Sequence, residues 1–141
     1  GVRVEARCSG WAVDRRIREA IRQHPEGPLA THLGPVGSCE SRALAPALAD
    51  GDPLAQGILS ELADNLAFAL SHAVQLFHPE VIVIGGGLSL IGEPLRAAIA
   101  AALPAYVMNA FLPGPRMAAT TGSPFSFQHR RAARALDGDQ R

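Results

Sequence analysis

The sequence predicts an α/β fold, and three features carry that expectation. From Leu54 to Phe77 apolar residues recur every three to four positions, Val81-Ile82-Val83-Ile84 is an unbroken β-branched run, and Gly85-Gly86-Gly87 follows it directly and leads into a second apolar-striped segment. A strand with no polar alternation must be covered on both faces, and helices are the usual cover, so helix, strand, glycine turn and helix make a layered domain with a central, parallel strand. At 141 residues the chain has the size of one ordinary domain.

Taken in order, Ser9 is placed to cap a helix beginning near Trp11, with Val13, Ile17 and Ile21 on one side and Arg15, Arg16, Arg18 and Arg22 on the other. Pro25 and Gly27 end it. Residues 26–37 contain Pro28, Gly34, Pro35 and Gly37 and are expected to be an irregular connection; residues 41–49 form a short helix around Pro46. Asp52-Pro53 starts the long helix, because the carboxylate accepts free N–H groups and proline suits the first helical position. Leu54, Ile58, Leu62, Leu66, Leu70 and Val74 step by four until His78-Pro79 stops the pattern. After the strand and glycines, a helix from about Ser89 or Pro94 to Leu103 carries Leu95, Ile99 and Leu103 on one side. Residues 105–115 are expected to be a surface connection with some helical character, residues 116–121 a short strand, and Ser123-Pro124 the start of a helix over residues 125–136. No internal repeat is visible.

Charge is balanced, with 13 basic and 13 acidic residues, so no broad basic field exists to draw nucleic acid or an anionic membrane. Every basic residue is arginine, which with the Ala, Gly and Pro content suggests a GC-rich bacterial gene. Cys8 and Cys39 are too far apart to form a Cys-x-x-Cys pair, and no apolar run approaches the length of a membrane span, so a cytoplasmic, soluble protein is expected. The chain begins at Gly1 and not at Met, which leads us to expect a segment whose natural start lies elsewhere.

The glycines carry the most chemical information. Three in a row after a buried strand let a ligand approach the main chain, and the N–H groups at such a turn favour phosphate or a polar base edge. The same glycines also serve a plain tight turn, and the run is neither a phosphate-binding Gly-Lys-Ser/Thr loop nor a dinucleotide Gly-x-Gly-x-x-Gly. His24, His32, His72, His78 and His129 form no two-histidine helical pair, which leaves them packing or solvent roles and predicts no metal ligands.

The block Asp50-Gly51-Asp52-Pro53-Leu54-Ala55, the long helix, and His78-Pro79-Glu80-Val81-Ile82-Val83-Ile84-Gly85-Gly86-Gly87-Leu88-Ser89 resemble, in order and spacing, the second half of ROK-family sugar kinases. Weaker similarity extends through Glu5-Ala6-Arg7-Cys8-Ser9-Gly10 and Leu103-Pro104-x-Tyr106-Val107-Met108. The resemblance implies an actin-like, ribonuclease-H-like ATPase lobe over residues 1–136, with 137–141 a frayed tail. It implies phosphoryl transfer from ATP, with Mg²⁺, to a hexose hydroxyl. Gly85, Gly86, Gly87 and Leu88 would border the nucleotide, and Glu5 would bind sugar hydroxyls, which suits a carboxylate able to accept from two neighbours. The family's phosphate motif and its catalytic Asn-Asp pair have no counterpart here, so no catalytic residue is assigned and the chain alone is expected to be inactive. Arg3 stands where the family commonly has a zinc-ligating cysteine, so zinc is not expected.

From residue 121 onward the sequence departs from the family's small-residue final helix, with Phe125, Phe127, Arg130 and Arg131 in its place; either that helix packs differently or the reading frame has drifted. Three functions follow from the resemblance: the lobe of a glucokinase-like enzyme, which the retained glycines favour; the sugar lobe of a sugar-responsive transcriptional repressor; or a non-catalytic dimerisation remnant. A lobe that leans on another half should expose an apolar face, so self-association or marginal folding of the isolated chain is expected.

Overall fold

The computed structural model describes residues 8–34 and 40–120. Helix α1 spans Gly10–Gln23, α2 Pro28–Thr31, α3 Leu44–Ala49, α4 Pro53–Phe77 and α5 Glu93–Ala102; strands β1 and β2 are Val81–Ile84 and Arg116–Ala119. Short 3₁₀ turns occupy Glu40–Ala43, Gly86–Ile91, Leu103–Ala105 and Asn109–Phe111. The strands pair in parallel, with Val81 opposite Arg116 and Ile84 opposite Ala119, so β1, α5 and β2 form a crossover unit.

The helix starts follow local chemistry. Ser9 caps α1 by accepting from the Ala12 N–H at 3.4 Å. Asp52 caps α4 through the Leu54 N–H at 2.8 Å and the Ala55 N–H at 3.4 Å. Its second oxygen accepts from the Leu29 N–H at 2.8 Å, across the molecule. That bond, together with Pro28 in the first turn, explains why part of the expected irregular connection is instead the helical turn α2, whose Leu29 is buried. Helix α4 ends at His78, which turns left-handed at φ 48° ahead of Pro79. The segment after the glycines is divided: Gly92, at φ 73°, separates the 3₁₀ turn from α5.

The main core gathers Val13 and Ile17 of α1, Leu29, Leu44 and Ala47, Ile58 and Leu62 of α4, and Ile91, Leu95 and Ile99. A second cluster, Ala67, Val74, Leu103 and Val107, continues it along α4. Ile82, Ile84 and Met117 pack onto these clusters from one face of the sheet. Of the two covered faces expected for this strand, the described residues supply one. Val81 and Val83 are 38% and 60% exposed, and among the described residues β1 pairs with β2 alone and nothing lies over its second face. Phe68, Leu76 and Phe77 add further exposed apolar surface on α4. Among the described residues no helix is long and apolar enough to cross a membrane.

Candidate functional site

Ligands in parallel sheets gather beyond the carboxyl ends of the strands, because the crossover loops there open around exposed main chain. Here that edge is built by Gly85–Gly87 after β1 and by Thr120 after β2. The Thr120 N–H donates to the Ile84 carbonyl at 2.9 Å, closing the ladder at its last rung. Gly85 is extended and lies against Thr120: a Cβ there would sit 3.8 Å from the Thr120 Oγ1. Gly86 adopts φ 72°, which side chains disfavour, and a Cβ at Gly86 or Gly87 would point into open space. Leu88 packs its side chain on the main core, so only its backbone faces the turn.

Beside the turn is a cleft of about 470 Å³. Ser89, Leu90 and Gly92 form one wall, Glu93 and Arg96 of α5 another, and Ala119 and Thr120 the third. Glu93 and Arg96 are joined by two hydrogen bonds, of 2.7 and 2.5 Å. Those bonds hold the Glu93 carboxyl below the usual carboxylate range and push the guanidinium up. The cleft therefore offers a charge pair, two hydroxyls and apolar patches; Gly85, Gly86 and Gly87 adjoin it through Ser89 and Thr120 but are not among its lining residues. Two other grooves, of about 500 Å³ beside Arg15, Arg18 and Arg22 and about 400 Å³ between α4 and α5, touch neither strand end.

Two serines that sequence reasoning did not single out tie the turn down. Ser89 donates to the Gly86 carbonyl at 2.8 Å and Ser41 to the Gly87 carbonyl at 3.4 Å. The first has a local signal, a hydroxyl three residues beyond a glycine; the second has none. Ser41 is part of a partly buried polar group in which its N–H donates to Asp14 Oδ1 at 2.9 Å, while the exposed Arg18 donates to both oxygens of Glu40 at 2.7 and 3.1 Å. The hydrogen bonds from Arg18 hold the Glu40 carboxyl low. Burial, reinforced by the charge of Glu40, pushes Asp14 up.

Three further aspartates have structural partners. Asp50 pairs with His32 at 2.6 Å, Asp52 caps α4, and Asp64 accepts from the Tyr106 hydroxyl at 2.5 Å, which pushes the phenol up. Glu5, the expected sugar ligand, and Arg3 lie outside the described residues, as do Cys39, His129 and the divergent segment from residue 121.

Comparison with known proteins places this geometry in context. The model of the ROK family matches residues 3–123. A glucokinase of Thermotoga maritima is 29% identical over 109 residues, covering 77% of this chain and 34% of that protein. The chain thus spans about a third of the length of the curated glucokinases it matches. Among solved structures, a ROK family glucokinase from Streptomyces griseus in complex with glucose and AMPPNP superposes with a TM-score of 0.68 at 26% identity, over 86% of this chain and 40% of that one. A ROK family transcriptional regulator, a homologue of the Escherichia coli MLC protein, superposes with a TM-score of 0.66 at 24% identity, over 82% of this chain and 28% of that one. The shared architecture is the α/β lobe of an actin-like ATPase.

Proposed function

The chain belongs to the ROK family, and on that premise we propose that it is the nucleotide-facing part of an ATP-dependent, glucokinase-like hexose kinase. The observation that carries the reading is the bare main chain at Gly85–Gly87, set at the carboxyl ends of two parallel strands with a cleft beside it. The likeness to glucokinases, one of them solved with glucose and AMPPNP, supports it.

In this reading the turn and Leu88 supply main-chain contacts to ATP, Glu5 accepts hydrogen bonds from sugar hydroxyls, and Mg²⁺ accompanies the phosphates. Phosphoryl transfer asks mainly for positioning and charge stabilisation, so a rigid turn at the nucleotide is a sufficient contribution for one lobe. Asp14, Asp50, Asp52 and Asp64 are each engaged in structural bonds, which supports placing the general base outside this chain. Self-association through exposed apolar surface belongs to the same proposal. The sugar-responsive regulator is the second reading, favoured by the shared fold of the ROK regulator. The coding sequence upstream separates the two: a phosphate loop with an Asn-Asp pair marks the kinase, a DNA-binding helix-turn-helix the regulator.

The sugar assignment is tested by Glu5→Ala in the complete natural protein. Losing a charged acceptor weakens sugar binding by about tenfold or more, while ATP affinity stays near wild type, both read by calorimetry. If sugar affinity is unchanged in a folded variant, the role of Glu5 is wrong.

A further inference from the structure

The glycine run has no side chains with which to anchor itself, so its position must be imposed from outside. Ser89 does this locally through Gly86. Ser41 does it from 46 residues away, reaching the Gly87 carbonyl from the 3₁₀ turn ahead of α3. Ser41 is only 1% exposed. A hydroxyl buried in this way loses its water, which is costly unless it makes a bond. The Asp14 carboxylate fixes the Ser41 backbone, which aims the hydroxyl from a rigid base.

We infer that Ser41 is a positioning residue for the nucleotide-facing turn, acting through the Gly87 carbonyl to hold the Gly85–Gly87 main chain against the Thr120 edge. This rests on the nucleotide reading given above. Without the hydroxyl the turn is free to shift outward, and a glycine run has little side-chain packing to resist the shift.

The experiment is steady-state kinetics of sugar phosphorylation by the complete natural protein carrying Ser41→Ala, with Ser71→Ala as control. Ser71 is likewise buried, at 2% exposure, but its hydroxyl bonds the Phe68 carbonyl inside α4 and not the glycine turn. Ser41→Ala is expected to raise KM for ATP about twofold to threefold, the low end for one hydrogen bond as its 3.4 Å length implies, with KM for the sugar unchanged. Ser71→Ala is expected to change neither. Ser41→Cys, close in size and a weaker donor, is expected to fall between wild type and Ser41→Ala. Wild-type KM for ATP in both Ser41 variants overturns the inference, as does an equal rise in Ser71→Ala, which reduces the effect to general loss of stability. A wild-type protein that binds no nucleotide overturns the nucleotide reading itself, and the inference with it.

Discussion

Asp52 shows how much one side chain can organise. Buried to 2% exposure, it caps the longest helix with one oxygen and holds α2 through the Leu29 N–H with the other. Asp52→Ala leaves those donors without a partner in a buried site, and we predict a loss of about 2–3 kcal/mol, measured as a shift of the denaturant midpoint; a loss below about 0.5 kcal/mol contradicts the dual role. Half of this was legible in the sequence, because Asp-Pro ahead of an apolar stripe is a local signal. The bond to Leu29 was not, since it joins positions 23 residues apart and depends on how the chain folds back. The same distinction separates Ser89 from Ser41 at the glycine turn. The Glu5 assignment came from likeness alone, and its position lies outside the described residues.

At the scale of elements, periodicity served well where an element buries one stripe. Helix α4 runs from Pro53 to Phe77 as the four-residue step predicts, and Ile58, Leu62 and Val74 are buried. Leu95, Ile99 and Leu103 are buried as predicted for α5 and the turn that follows it. Composition could not say what covers β1: four β-branched residues demand two covered faces, but the described residues supply one. Gly57 lies on the exposed side of α4, and a Cβ there would meet nothing within 4 Å. Gly57→Ala is therefore expected to stabilise the fold by about 0.5–1 kcal/mol by removing backbone freedom from the unfolded chain. A fall in melting temperature would show that this face of α4 is in contact with something.

For the whole molecule, the layered arrangement places both strand ends, the glycine turn and the cleft on one edge, while uncovered apolar residues lie on the second sheet face and along α4. In the reading proposed above, the edge takes the ligand and the uncovered face takes a neighbour. The claim that matters most is that nucleotide rests on the bare main chain at Gly86. Calorimetry with a non-hydrolysable ATP analogue, on the complete natural protein and on Gly86→Val, tests it most directly. A valine at φ 72° is strained by about 1–2 kcal/mol and puts a side chain into the open space beside the main chain. Binding by the wild type and a loss of at least about tenfold in the variant, with sugar affinity retained, is the predicted result; wild-type nucleotide affinity in a folded Gly86→Val protein would contradict it.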